Sequence, residues 1–193
     1  MAPIFVMIMS FFFFHEKLNK QKILALIMTI IGLCFITGAF SQEVNLSGKA
    51  ILLGLGAGFG YALYSIFSKM IIDKYEAVTI ITYTFIVATI GSIPLSGVIY
   101  HVDELLSLQA IIAIIGLAIF CTAMPFLLYT TGLKKLEAGK ASILATIGPI
   151  VSAIVGLIFF QEVFDLTKIL GMICIISAIL ILNLNLVKAK SVN

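Results

Sequence analysis

The sequence predicts an all-α integral membrane protein, a polytopic bundle of about seven transmembrane helices. Of its 193 residues, 62% are hydrophobic and 11% are charged, whereas soluble domains average roughly 45–50% and about 25%. A soluble globule needs a polar surface that this composition cannot supply, so a soluble enzyme and a disordered chain are both excluded. The net charge of +3 comes from twelve lysines without an arginine. We expect no nucleic-acid partner, because the guanidinium groups that clamp phosphate are absent.

The gaps between ionisable residues define the helices in order. A helix that crosses the bilayer needs about 20 apolar residues, and six of the seven gaps are long enough, the first being too short. The runs are continuous rather than alternating, which favours helices over barrel strands. The segments are 1–14, 23–42, 50–68, 77–100, 105–133, 141–161 and 169–187.

The first segment, 1–14, needs a separate interpretation because it lies at the N-terminus. It carries no positively charged n-region and no small-residue cleavage site before His15. These features argue against a signal peptide, and we interpret the segment as the second half of a helix.

The lysines predict the orientation. Ten of them fall on one side of the membrane, and Lys49 and Lys168 fall on the other. By the positive-inside rule the first side is cytoplasmic. We therefore expect a multi-pass protein of the cell membrane with its C-terminus in the cytoplasm and its N-terminus outside.

A shift of 146 positions aligns the beginning of the chain with its end. The lysine distribution places the two matched acids on opposite sides of the membrane, so the two copies have opposite orientations. Inverted repeats of this kind are typical of secondary transporters, whose substrate site lies near the midplane. The matched pairs are Pro3 with Pro149, Glu16 with Glu162, and Lys22 with Lys168.

The repeat divides the chain into four parts. Residues 1–40 are the last one and a half helices of a first repeat, 41–47 are an outer linker, 48–187 are a complete second repeat of five helices, and 188–193 are a cytoplasmic tail. A complete first repeat would give a parent of about ten helices with both termini inside.

Several short motifs follow one another in the second copy. They are GFGYALY at 58–64, Lys69, GLKKLEA at 132–138, the stretch 141–149, QEV at 161–163 and KILG at 168–171. In this order and spacing they resemble the EamA-type repeat of the drug/metabolite transporter superfamily, here without the front of the first repeat. The resemblance implies a ten-helix permease that moves small metabolites, often outward as efflux, by alternating access.

Uncharged polar side chains form stripes on several helices, while the interiors of the spans carry no charge. Hydroxyl groups gain nothing by facing lipid, so the stripes should face protein or a wet cavity. Such a pocket favours a neutral or zwitterionic substrate. The alternative is that the same residues serve helix packing, as the spacing of Gly54 and Gly58 suggests. The candidate pocket residues are Tyr61, Tyr64, Ser65, Thr82, Tyr83, Thr122, Tyr129 and Thr146.

The fourth segment carries one of these stripes. On a helical wheel Thr79, Thr82, Tyr83 and Thr89 share one face, with Thr84 opposite. This pattern predicts that the first four residues point into one pocket.

Two prolines and two acids are further candidates. Pro125 and Pro149 each free a backbone carbonyl and are hinge candidates, with a static kink as an equal alternative. The acids at helix ends are Glu16 and Glu162. They would take part in proton-coupled transport only if they lay deep within the membrane. The simpler interpretation makes them interfacial anchors or partners of neighbouring backbone groups.

The leading hypothesis is a secondary transporter, and specifically an exporter, of small metabolites or drug-like molecules across the lipid bilayer. The alternative is a truncated, non-transporting fragment or assembly subunit that needs the missing N-terminal repeat or a second subunit. We expect no enzymatic activity, catalytic residue, metal or cofactor, because no nucleophile–base pair or metal cluster occurs at membrane depth.

Overall fold

The computed structural model describes residues 1–38, 47–97, 107–161 and 165–190, and for Leu95 and 183–190 the backbone only. All regular elements in these ranges are helical. They are α1 (Ala2–Phe14), α2 (Lys20–Ile36), α3 (Gly48–Ile71), α4 (Ala77–Ser96), α5 (Leu108–Gly116), a π-helical segment (Leu117–Ala123), α6 (Met124–Lys135), α7 (Ala138–Leu144), α8 (Ile147–Phe160) and α9 (Leu166–Lys190).

Each of the seven predicted segments coincides with helix in the described ranges, which confirms the all-α, multi-pass membrane fold. Six membrane-length helices were expected, and four occur within the part of the chain that the structure describes. α2 ends at Ile36 after 17 residues, and the side chains of α9 are described as far as Leu182. The four are Gly48–Ile71, Ala77–Pro94, Leu108–Lys135 and Ala138–Phe160.

Short polar side chains determine where several helices begin. The Asn19 side chain accepts a hydrogen bond from the Lys22 N–H at 2.8 Å, and Ser107 accepts one from the Ala110 N–H at 3.3 Å. Such caps satisfy backbone N–H groups that have no partner within the first helical turn. α4 ends at Gly97, whose φ of 63° is left-handed and therefore suits glycine.

Two of the long spans are interrupted. In Leu108–Lys135 the π-helical segment separates α5 from α6, and in Ala138–Phe160 a turn at Ala145–Thr146 separates α7 from α8. A predicted hinge proline follows each interruption, Pro125 in α6 and Pro149 in α8.

The chain folds as two compact units. Unit 1 comprises Met1–Ile66 and Leu136–Asn193, and unit 2 comprises Phe67–Lys135. In unit 1, α1, α2, α7 and α9 share one apolar core. Its buried members are Met7, Ala25, Ile143, Ala178 and Leu182.

Unit 2 is held together at both ends of α6. The rings of Phe85 and Phe126 meet edge to face with centroids 5.1 Å apart, which joins α4 to α6. The Lys69 ammonium donates to the Leu133 carbonyl at 2.6 Å, so the last turn of α3 closes the C-terminal end of α6.

Helix ends at matched positions of the two repeat copies have the same geometry. After α1, His15 has a φ of 53° and its N–H donates to the Ser10 carbonyl. After α8, Gln161 has a φ of 52° and its N–H donates to the Gly156 carbonyl. Both pairs are 146 positions apart, as are the first residues of α2 and α9. Positive φ is uncommon outside glycine, so this recurrence supports the predicted repeat.

Candidate functional site

The predicted pocket residues are divided between the two units. α3 and the α7–α8 turn of unit 1 hold Tyr61, Tyr64, Ser65 and Thr146, while unit 2 holds Thr82, Tyr83, Thr122 and Tyr129. Within each unit the structure brings some of these side chains together.

In unit 1 three predicted residues form a local cluster on α3. The ring centroids of Tyr61 and Tyr64 lie 6.4 Å apart. Ser65 is fully buried and donates to the Tyr61 carbonyl at 2.9 Å. Thr146 lies apart from them, at the turn between α7 and α8, where its hydroxyl donates to the Ile143 carbonyl.

In unit 2 an open groove of about 420 Å³ runs along the first half of α4. No charged side chain lines it among the described residues. It combines two phenol rings and two threonine hydroxyls with apolar walls, a combination typical of small-molecule sites. Tyr83 is the predicted pocket residue in this groove. The lining residues are Ile71, Tyr75, Thr79, Ile80, Tyr83 and Thr84.

The predicted polar stripe on α4 is divided between two grooves. Thr79 and Tyr83 line the first groove, whereas Thr82 faces a second one of about 400 Å³. The expectation that Thr84 lies opposite the stripe is wrong, because Thr84 lines the first groove. At about 100° per residue, Thr82 lies on the side of α4 away from Ile80 and Thr84, so it faces the second groove while Tyr83 faces the first. The second groove is lined by Thr82, Phe85, Ile86, Thr89 and Ile90.

The other predicted residues of unit 2 lie around the interruption of the fifth span. Thr122 is in the π-helical segment, where its hydroxyl donates to the Leu117 carbonyl five residues earlier, at 3.2 Å. Pro125 is the second residue of α6, and Tyr129 is half-buried one turn later. π-helical turns are frequent at functional sites.

Several hydroxyl groups of the polar stripes donate to their own helix. Thr82 donates to the Val78 carbonyl at 2.8 Å and Thr84 to the Ile80 carbonyl at 2.7 Å. A hydroxyl that donates in this way keeps its lone pairs for a ligand. These threonines can therefore accept a hydrogen bond from a substrate without leaving their helices.

An ionic cluster joins α2 and α7 to the connection after α1, with Glu16 and Lys22 buried and Glu137 and Lys140 partly exposed. Lys22 Nζ lies 2.9 Å from Glu137 Oε2 and 3.7 Å from Glu16 Oε2. Lys140 Nζ lies 2.9 Å from the same Glu137 oxygen. Glu16 and Lys22 are only 9% and 4% exposed. Two glutamates and two lysines balance in charge, which is the condition under which buried charges are tolerated. We call these four residues the ionic cluster.

Glu16 also binds the start of α7. Its Oε1 accepts a hydrogen bond from the Ala138 N–H at 2.9 Å, and this N–H belongs to the first turn, which lacks partners within the helix. A negative charge is also favourable at a helix N-terminus. Glu162, the acid matched to Glu16, lies outside the described residues.

The pKa of Glu137 is lowered. Burial by itself raises the pKa of this carboxyl, but hydrogen bonds from Lys22 and Lys140 and the charges of both lysines outweigh burial. Glu137 lies in the connection between α6 and α7, outside the membrane-spanning segments. It is therefore ionised at neutral pH.

The ionic cluster was missed by sequence reasoning, which used Lys22 as a marker of orientation and as the match to Lys168 in the repeat. One signal could have revealed part of it. The six-residue spacing of Glu16 and Lys22 recurs at Glu162 and Lys168, and a repeated acid–base spacing indicates a structural pair rather than two independent surface charges.

Comparisons with known proteins agree with the fold. Residues 48–184 match the EamA-like transporter family. An uncharacterized transporter of Archaeoglobus fulgidus is 28% identical over 181 residues, which cover 94% of this chain and 63% of that protein. The uncharacterized transporter YdfC of Bacillus subtilis is 40% identical over 174 residues, which cover 88% of this chain and 55% of that protein. No solved structure matches the chain.

The matched range, 48–184, nearly coincides with the second repeat predicted at 48–187. The chain spans about three fifths of the length of the curated relatives it matches. Because the match covers more than half of a chain whose helices have membrane length, this chain belongs to the EamA-like transporter family.

Proposed function

We propose that this chain works in a secondary transporter that exports small neutral or zwitterionic molecules across the cell membrane by alternating access. Family membership supports transport. The observation that carries the substrate class is the groove on α4, which offers phenol and hydroxyl groups without a charged side chain.

The chemistry of the groove favours molecules without net charge. A net charge moved from water into this groove would lose hydration and gain no counter-charge from the lining. The Tyr75 and Tyr83 hydroxyls can donate or accept hydrogen bonds, and the Thr79 and Thr84 oxygens can accept them. These groups suit the polar part of a small molecule, while the isoleucines suit its apolar part.

The interruptions of two spans support alternating access. Helices broken at Leu117–Ala123 and at Ala145–Thr146 can bend at low cost, because part of their regular hydrogen bonding is already missing. Pro125 and Pro149 follow these breaks and are proposed as hinges. The orientation proposed from the lysines places Glu16 and the C-terminus in the cytoplasm.

Transport of matched amino acids into liposomes tests this function. Leucine is zwitterionic, whereas lysine and glutamate have a similar size and a net charge. We expect uptake of radiolabelled leucine and about tenfold less of the other two. Equal uptake of lysine would contradict the proposed substrate class.

A pair of variants tests the groove itself. Tyr83→Ala removes a groove side chain and should lower leucine uptake by roughly fivefold or more. Val87→Ala is the control, because Val87 lies on the same helix, has the same 68% exposure and lines neither groove. Equal uptake by the two variants would exclude this groove from the substrate path.

A second candidate is a subunit that needs another segment for transport. Val6 on α1 is fully buried, but the matched Ser152 on α8 is exposed. From this difference we infer that a helix of an N-terminal repeat or of a second subunit packs against α8. A C-terminal tag at the native locus separates the candidates on an immunoblot. A band of ten-helix size supports one continuous transporter, and a band near 20.9 kDa without leucine transport supports a subunit.

A further inference from the structure

The two halves of the span Ala138–Phe160 are packed very differently. Most of α7 is buried, namely Ala138, Gly139, Ala141, Ser142 and Ile143. On α8, by contrast, Ile150 and Gly156 are the buried residues. One half of the span is thus part of the core of unit 1, and the other half lies mostly at its surface.

Several contacts fix α7 to α1 and α2. The ionic cluster links Glu137 to Lys22, and Glu16 binds the Ala138 N–H. Gly139 lies beside the same connection, because a Cβ there would make ordinary van der Waals contact with Glu16 Oε2 at 3.4 Å and with the Ser10 hydroxyl at 3.5 Å. Further along α7, Ile143 packs in the core with residues of α1 and α2. Charge, backbone and apolar contacts all act on the same seven-residue helix.

The connection from α7 to α8 is weak in comparison. Pro149 has no N–H and cannot donate to the Ala145 carbonyl, which accepts the Gly148 N–H at 3.2 Å instead. The Thr146 N–H and hydroxyl both donate to the Ile143 carbonyl, which completes the end of α7. The regular hydrogen-bond ladder is therefore interrupted at Ala145–Thr146.

We propose that the ionic cluster holds α7 stationary against α1 and α2, so that the span bends at Ala145–Thr146 and α8 changes position without α7 during transport. This inference rests on the proposed alternating access. The four charged side chains are positioning residues, because they act through α7 and contact no substrate.

Hydrogen–deuterium exchange of the chain in lipid nanodiscs tests the role of the ionic cluster. Lys22→Met removes the shared cation and keeps a side chain of similar length. We expect amide exchange at Ala138–Leu144 to become roughly tenfold faster or more, because α7 is released from its anchor. Lys20→Met is the control, since Lys20 is exposed in the same helical turn. Unchanged exchange in α7 of Lys22→Met would overturn the proposal.

A milder variant covers the case in which Lys22→Met does not fold. Glu137→Gln keeps the size of the side chain and removes the charge that both lysines share. Exchange in α7 should then rise about threefold or more, and again no change would overturn the proposal.

A disulfide between α1 and α7 tests whether α7 stays in place. With Cys34, Cys121 and Cys174 replaced by alanine, Ser10→Cys and Gly139→Cys have the proximity that a disulfide requires. If α7 is already stationary, oxidation should leave exchange in α8 within about twofold of the reduced protein. A slowing of roughly tenfold would show that α7 and α8 move as one body, and the proposal would be wrong.

The two proposals fail separately. Absence of leucine transport together with the expected exchange pattern would refute the proposed function and leave the anchoring of α7 intact. Leucine transport together with unchanged amide exchange in α7 of Lys22→Met would refute the anchoring of α7 and leave the proposed function intact.

Discussion

Gly32 on α2 and Gly171 on α9 meet so closely that a Cβ on either one would lie 2.7 Å from the carbonyl oxygen of the other. The shift of 146 positions matches Ala25 to Gly171 and Gly32 to Ala178. Ala25 and Ala178 are themselves fully buried in one core. α2 and α9 therefore meet through small residues at positions that this shift matches. Small residues allow membrane helices to approach closely enough for dense packing.

This contact predicts that alanine is not tolerated at either glycine. Gly32→Ala and Gly171→Ala should each destabilise the chain by about 1–3 kcal/mol, because the added methyl group meets backbone that cannot move aside. Gly56→Ala is the matched control, since a Cβ there meets nothing within 4 Å. Thermal unfolding in detergent, followed by circular dichroism, measures the difference. Equal stability of Gly32→Ala and Gly56→Ala would show that the helices separate at little cost.

The stability of the fold should depend on the side-chain oxygen atoms of Glu16 as well as on its charge. Glu16→Ala leaves the buried Ala138 N–H without a partner, and losing a hydrogen bond to a charged group costs about 1.5–3 kcal/mol. Glu16→Gln keeps an acceptor and should cost less. Glu76→Gln is the control, because Glu76 is exposed and makes no cap hydrogen bond to α4. The same unfolding measurement applies, and a loss in Glu16→Gln as large as in Glu16→Ala would mean that charge outweighs the backbone bond.

The lowered pKa of Glu137 predicts a specific acid dependence. A carboxyl whose pKa is lower in the folded state stabilises the fold above its ordinary value, about 4.3 for glutamate. That contribution is lost as the pH falls through the lowered pKa. The difference in melting temperature between the wild type and Glu137→Gln should therefore be constant from neutral pH to about 5 and then shrink. A difference that does not shrink as the pH is lowered below the ordinary glutamate pKa would disagree with this account.

Pro149→Ala should restore helical hydrogen bonding at the turn before α8. An N–H at position 149 can donate to the Ala145 carbonyl, which straightens the span. We expect unchanged or higher thermal stability and leucine uptake reduced by roughly fivefold, because bending becomes costly. Pro94→Ala, a change inside α4, is the control. If uptake were unaffected, Pro149 would be a static kink.

The sequence was sufficient to predict the helices and their order. In a bilayer every backbone group must be satisfied within the protein, so a long apolar run has little choice but to be a helix. The charged residues that bound these runs then locate the connections. The resemblance of the second copy to EamA-type repeats followed from motif order, and the match over 48–184 confirms it.

Contacts between helices could not be predicted in the same way. Of the two glycines whose spacing predicts packing, Gly58 does approach α1, because a Cβ there would lie 3.2 Å from the Ala2 nitrogen, whereas a Cβ at Gly54 meets nothing within 4 Å. The tighter approach of Gly32 to Gly171 was not predicted. Thr84 likewise lines a groove from which the helical wheel excluded it.

The sequence by itself thus determined that the chain is a helical membrane protein, the order of its helices, and which family it belongs to. Only the tertiary structure decided that Lys22 pairs with Glu137 and that Gly32 meets Gly171. The physical reason is that lipid and neighbouring helices are equally apolar, so composition cannot tell a face that meets lipid from one that meets protein. Partners are decided by close packing and by the pairing of buried charges, and both depend on residues far apart in the chain.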